Sequence, residues 1–197
     1  MTIKLDASKI KLYSQIGTRA TFGLACIDLL KEHEDLMICT ADVSTSAGLD
    51  RFRKKYPDNY VDVGIAEQNL IGVATGLSEL NFKVITTTFS PFQTLRCLEQ
   101  IKVNLGYMKN KIIMVGLASG LVLGPLGFTH ASIEDVGVLR SIPNINIICP
   151  SDSGELIKSL EKSILNENST YIRLTGGANN NIINKSDYNF EVGKSIE

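Results

Sequence analysis

A chain of 197 residues, 44% of them hydrophobic, is long enough to bury one substantial core. Its formal net charge of −1 gives no electrostatic footprint for nucleic acid or an anionic membrane surface. No apolar run approaches the ~20 residues of a membrane helix, and Met1-Thr2-Ile3-Lys4-Leu5-Asp6 lacks the apolar centre of a signal peptide, so a cytoplasmic chain is expected.

In chain order, residues 18–32 have helical periodicity and 36–40 form an apolar, strand-like run. Residues 50–60 read as a charged loop. The short β-branched strand 60–63 then hands over to an amphipathic helix, with Leu70, Val73, Ala74 and Leu77 on its apolar face. A strand at 82–88 precedes a helix near 93–105, and 111–115 is a continuous apolar run of the kind a strand buried on both faces shows. Strands at 145–149 and 171–174 flank a helix near 153–165. This alternation predicts an α/β fold, a mostly parallel sheet with helices on both faces. Residues 178–186 are Asn-rich without periodicity and read as a linker.

The cysteines, Cys26, Cys39, Cys97 and Cys149, form no CxxC pair and sit in apolar surroundings, so buried, reduced thiols are expected. The two histidines, His33 and His130, lie far apart, which makes a Cys/His zinc site an unfavoured reading. The glycine-rich stretch 116–124 has neither the GxGxxG order, nor a P-loop lysine, nor a hydrolase elbow. It reads as a flexible active-site loop.

One acid stands out. Glu67, in Gly64-Ile65-Ala66-Glu67-Gln68-Asn69, falls where a strand passes into a helix, the usual place for function in an open parallel sheet. Aliphatic neighbours such as Ile65 and Leu70 would make the site dry and favour the protonated acid, which can donate to a ring nitrogen. The plainer reading is an acid that complements the positive end of a helix.

The motif around Glu67 resembles the glutamate motif of the pyrimidine-binding domain of transketolases and 1-deoxyxylulose-5-phosphate synthases. Further segments resemble that family in order: Gly17-Thr18-Arg19, Thr40-Ala41-Asp42-Val43-Ser44, Thr87-Thr88-Phe89-Ser90-Pro91-Phe92, Gly127-Phe128-Thr129-His130, Glu134-Asp135, Arg140-Ser141-Ile142-Pro143-Asn144, Pro150-Ser151-Asp152 and Tyr171-Ile172-Arg173-Leu174. The resemblance implies thiamine diphosphate as cofactor, with Glu67 bonded to the pyrimidine N1′ so that the 4′-imino nitrogen can take a proton from C2. It implies that Phe89 and Phe92 wall the pyrimidine and that Asp42 lies near the cofactor and the dimer contact. Without the resemblance, two Phe at a sheet edge are better read as core, and Asp42 as a turn cap. On the substrate side it implies Arg19 and Ser46 at the phosphate end of a sugar phosphate and His130 near the reactive centre.

The sequence departs from the family where the substrate would sit. A second family histidine aligns with Ala118, an aspartate with Leu126 and an arginine with Gly176, and an often-aromatic position is Leu95. A sugar-phosphate site reads its ligand through such polar partners, so a substrate other than that of ordinary transketolase is expected. The expected activity is transfer of a two-carbon ketol unit between carbohydrate-type substrates. The alternatives are the β subunit of a 2-oxo acid dehydrogenase E1 and a non-catalytic dimerisation subunit.

The resemblance places the diphosphate and Mg²⁺ site on a separate pyrophosphate-binding domain or subunit, so the chain alone is expected to be inactive, working in a homodimer or heterotetramer. An apolar face around Ile65, Leu70 and Ile71, open without a partner, points the same way. Residues 1–177 read as the pyrimidine-binding domain, and 178–197 as a linker and lead-in to a further C-terminal domain.

Overall fold

The computed structural model describes residues 3–194. Its centre is a six-stranded parallel sheet formed by β1 (Leu36–Thr40), β2 (Tyr60–Asp62), β3 (Lys83–Phe89), β4 (Ile113–Leu117), β5 (Ile145–Ile148) and β6 (Ser169–Arg173), in the order β2-β1-β3-β4-β6-β5. From β1 the chain steps to β2 on one side and returns to β3 on the other. This reversal is a topological switch point, and it opens a crevice at the carboxyl ends of the strands.

Alternation of side chains splits the core into two layers. Leu36 and Ile38 of β1 join Ile113, Val115 and Leu117 of β4 on one face, beneath helices α1 (Ala7–Glu32) and α7 (Ser153–Leu165). Met37 and Cys39, with Ile112 and Met114, face the other way, beneath α3 (Glu67–Glu79) and the short α5 (Leu98–Ile101). Both faces of the sheet are thus covered, as the strand–helix alternation predicts. α7 begins where Asp152 accepts bonds from the N–H groups of Gly154 and Glu155 at 2.8 and 2.9 Å, and its bounds match the sequence reading.

Three segments differ from the sequence reading. α1 starts well before residue 18, at Ala7, where the Asp6 carboxylate caps Lys9 N–H, and it bends at Gly17 (φ 77°). A methyl group at Gly17 would lie 1.9 Å from the carbonyl oxygen of Gly177, so the left-handed turn and the close approach both require glycine. Residues 50–60 are not all loop: α2 (Asp50–Lys55) forms because Phe52 is fully buried, a single apolar anchor that leaves no periodic signal. The helix expected near 93–105 is broken into α4 (Ser90–Gln93), a turn, α5 and a wide π-type turn over Lys102–Tyr107. The Thr94 hydroxyl donates to the Ser90 carbonyl at 2.7 Å and the Cys97 thiol to that of Phe92 at 3.1 Å within that break.

Residues 178–194 carry no helix or strand yet lie against the body. Ile183 N–H donates to Asp152 at 2.8 Å, the nearly buried Lys158 pairs with Asp187 at 2.6 Å, and Ile182 and Phe190 are buried. The last residues of the expected lead-in, 195–197, and the first two of the expected signal-free start lie outside the described residues. Cys26, Cys39 and Cys97 are buried and unpaired, whereas Cys149 is exposed just past β5, against the expectation for all four. Among the described residues no helix is long and apolar enough to cross a membrane.

Candidate functional site

The loops that leave the carboxyl ends of β1, β2, β3 and β4 converge beside the switch point, and four of the seven residues singled out from sequence fall into one connected group there. Glu67 opens α3 and is only 4% exposed, yet it faces an open groove of about 400 Å³ lined also by Ile65, Gln68, Asn69 and Arg96. Arg96 Nη1 donates to Glu67 Oε1 at 2.7 Å, and its guanidinium carbon lies 3.9 Å from the centre of the Phe92 ring. Phe92 meets Phe89 edge-on at 6.3 Å, and His130 stands at 5.2 Å from Phe92 and 6.5 Å from Phe89. A carboxylate, two aromatic walls at right angles and an imidazole thus run along one edge, in offsets that aromatic rings favour.

Local sequence explains each placement. β3 runs directly into α4 through Phe89, with Pro91 in the first turn, so Phe89 and Phe92 project from consecutive turns of the chain. His130 sits at the end of a loop closed at its base by paired bonds between Gly120 and Ser132, 2.8 Å in each direction. Its Nδ1 lies 3.0 Å from the Thr129 hydroxyl.

Beneath the rings is a sealed polar cluster. Asp135, wholly buried at the start of α6 (Asp135–Leu139), accepts through Oδ2 from Ser90 Oγ at 3.0 Å, Tyr171 OH at 2.9 Å and Arg173 Nε at 2.8 Å. The Ser90 and Tyr171 hydroxyl oxygens also lie against each other, and Ser132 Oγ donates to Ser90 Oγ at 3.3 Å. Burial, and then the Asp135 charge, push the Tyr171 hydroxyl well above the ordinary tyrosine value. The cluster ties Ser90, which follows Phe89, to Ser132 at the base of the loop that carries His130. A methyl group on Gly116 would lie 2.5 Å from the Tyr171 hydroxyl, so glycine is needed there to admit the ring.

Asp42 lies two residues past the end of β1 with φ 54°, and its side chain is exposed. Its N–H donates to Asp62 Oδ1 at 2.9 Å, and the same oxygen accepts from Gly64 N–H at 3.0 Å, which couples Asp42 to the loop before Glu67. Burial pushes the Asp62 carboxyl up, but these N–H groups and the nearby hydroxyls of Thr40 and Tyr60 bring it below its ordinary value. Arg19 is exposed on α1, and Ser46 is half-buried in the loop after β1. That loop packs tightly on α1: a methyl on Gly23 would lie 1.9 Å from the Gly48 carbonyl oxygen. Among the described residues no side-chain bond or ion pair joins Arg19 or Ser46 to His130.

Two features of the sequence reading are corrected. The dry, aliphatic setting expected for Glu67 is absent, because Ile65 is 77% exposed and the nearest partner is a guanidinium. Leu70 and Ile71 are fully buried core residues, so the open apolar face at this edge consists instead of Ile65, Leu121, Leu126, Phe128 and Ile133, each at least 60% exposed. Arg96 and the Asp135 cluster were not singled out from sequence. Glu134-Asp135 is visible in the sequence as a motif, but the donors that meet it come from the start of α4 and from β6. Of the three departures on the substrate side, Ala118 is buried with φ 52°, Leu126 is exposed and Gly176 has φ 85°.

Comparison with known proteins decides the family. The pattern described as "Transketolase, pyrimidine binding domain" matches residues 14–180. The chain belongs to the transketolase pyrimidine-binding domain family. Over 182 residues it is 32% identical to an apulose-4-phosphate transketolase subunit of Phocaeicola vulgatus, covering 92% of this chain and 58% of that protein. Over 168 residues it is 39% identical to the like-named subunit of Actinobacillus succinogenes, covering 85% of this chain and 54% of that one. A solved structure described as a split gene transketolase, inactive beta4 tetramer, superposes with a TM-score of 0.72 at 33% identity over 81% of this chain and 50% of the other. The chain therefore spans just over half the length of the curated relatives it matches. Thiamine diphosphate is the cofactor that this family implies.

Proposed function

We propose that this chain is the pyrimidine-binding part of a split, thiamine diphosphate-dependent transketolase-type enzyme that transfers a two-carbon ketol unit between sugar-type substrates. The observation that carries the reading is Glu67. A nearly buried carboxylate facing a groove beside two perpendicular phenylalanine rings fits a flat nitrogen heterocycle. The fit is supported from within the structure, because a flat N–H-bearing group, the Arg96 guanidinium, already makes both kinds of contact with Glu67 and Phe92.

In this reading Glu67 bonds the pyrimidine nitrogen and keeps a proton on it, Phe89 and Phe92 wall the ring, and Asp42 lies at the cofactor's margin. Thiamine diphosphate, when bound, supplies the electron sink for breaking and making a carbon–carbon bond next to a carbonyl. His130 holds and moves protons on substrate oxygen, with Arg19 and Ser46 at the substrate's anionic end. The departures at Ala118, Leu126 and Gly176 point to a substrate other than the ordinary sugar phosphates. The diphosphate and Mg²⁺ are held by a pyrophosphate-binding domain elsewhere, in a homodimer or heterotetramer. The exposed apolar rim of Ile65, Leu121, Leu126 and Phe128 is the surface that such a partner would cover.

Calorimetry and sedimentation test this division of labour. The chain alone should show little affinity for thiamine diphosphate with Mg²⁺, because most of the binding energy lies in the diphosphate clamp. Mixed with a pyrophosphate-domain subunit it should co-sediment and bind the cofactor. Tight Mg²⁺-dependent binding to the chain alone, or a strict monomer with the partner present, would contradict it.

A further inference from the structure

Arg96 occupies the seat that the proposed function assigns to a ring. Its Nη1 satisfies Glu67 at 2.7 Å while its guanidinium carbon lies 3.9 Å from the Phe92 ring centre. A guanidinium is planar, delocalised and edged with N–H donors, so one group meets both the acid and the aromatic face. The backbone beneath it is fixed: Arg96 N–H donates to the Pro91 carbonyl at 3.2 Å, and Gln68 Nε2 donates to the Arg96 carbonyl at 3.0 Å. The side chain is less constrained. It is 41% exposed, and among the described residues no other hydrogen bond or ion pair holds it.

We propose that Arg96 is an internal stand-in for the aminopyrimidine, closing the Glu67–Phe92 seat in the free chain and leaving it by side-chain rotation before the ring enters. The inference rests on the reading of Glu67 given under the proposed function. Its physical basis is that an empty seat would leave a nearly buried carboxylate without a partner, which is costly. A half-exposed cation can fill that role at low cost and still be displaced. Arg96 then sets the threshold for entry: every incoming ring competes with an ion pair and a cation–π contact.

The test uses the full chain and the pyrimidine half of the cofactor, 4-amino-5-hydroxymethyl-2-methylpyrimidine, followed through NMR shifts of the phenylalanine rings. Arg96→Met should bind this probe about tenfold more tightly than wild type, the size expected from losing one exposed ion pair and one cation–π contact as competitors. Arg96→Lys, which keeps a charge but not a flat face, should fall between. Thermal melts check that each variant is folded, and if Arg96→Met is not, a tighter Arg96→Lys supports the proposal and an equal or weaker one overturns it. Equal or weaker binding by a folded Arg96→Met makes the arginine a support or part of the seat and overturns the stand-in. If Glu67→Gln still abolishes binding in that case, the reading of the site survives. Tight binding that persists in Arg96→Met combined with Glu67→Gln would instead remove Glu67 from the seat, and the proposal with it.

Discussion

Two carboxylates at the same sheet edge meet arginine in opposite ways. Asp135 is fully buried, its Arg173 partner is 19% exposed, and two hydroxyls share the same carboxylate oxygen, Oδ2. Glu67 is nearly as buried, but among the described residues its side-chain partner is Arg96, which is 41% exposed and lies over an aromatic face. The first arrangement joins strand, helix and loop through groups held inside the fold. The second leaves an acid with a partner that can depart into solvent. A fixed hub and an exchangeable pair thus both meet the Phe89–Phe92 segment, the hub through Ser90 and the pair through Phe92, and the contrast separates what holds the site from what the site does.

Breaking the hub should have the largest effect. Asp135→Ala removes the one anion that a largely buried guanidinium and two hydroxyls share, and should lower unfolding stability by about 3 kcal/mol, read from urea midpoints. A loss under about 1 kcal/mol would mean that the cluster does not hold the edge together. Breaking the exchangeable pair should cost less: Arg96→Met should change stability by about 1 kcal/mol, because the ion pair is solvent-screened on one side. A loss as large as that of Asp135→Ala would erase the contrast.

Much of the fold is legible in the sequence alone. The apolar runs of β1 and β4 and the Asp152-capped α7 carry strong local signals, and in each the pattern agrees with the packing that follows. The residues grouped at the sheet edge, Glu67, Phe89, Phe92 and His130, were legible through motif resemblance, three of them at the end of a strand or the start of a helix. Arg96 was not, because its partner lies 29 positions away and the turn between α4 and α5 that aims it back is fixed by Thr94 and Cys97. The Asp135 hub was hidden for a similar reason: Ser90, Tyr171 and Arg173 arrive from the end of β3 and from β6, and nothing in their spacing links them. Phe52 shows the limit of periodicity, since one buried ring is enough to fold α2.

The smallest effect concerns the support beneath Asp42. The folded Asp62 carboxyl titrates below its ordinary value of 3.8. It therefore adds stability at pH values above that point, and the contribution is lost as pH falls through the lower folded value. Wild type should be more stable than Asp62→Asn at about pH 6, with the gap closing below about pH 4. A gap that is constant with pH would show that the N–H groups of Asp42 and Gly64 do not favour the charged form.

The central claim is that Glu67 activates the cofactor's pyrimidine in the assembled enzyme. Hydrogen–deuterium exchange at C2 of thiamine diphosphate, measured in the complex with the pyrophosphate-domain subunit, tests it most directly. Glu67→Gln should keep assembly and slow that exchange by orders of magnitude, because an amide cannot relay the proton, while His130→Ala should leave it close to wild type. An unchanged exchange rate in Glu67→Gln would contradict the account.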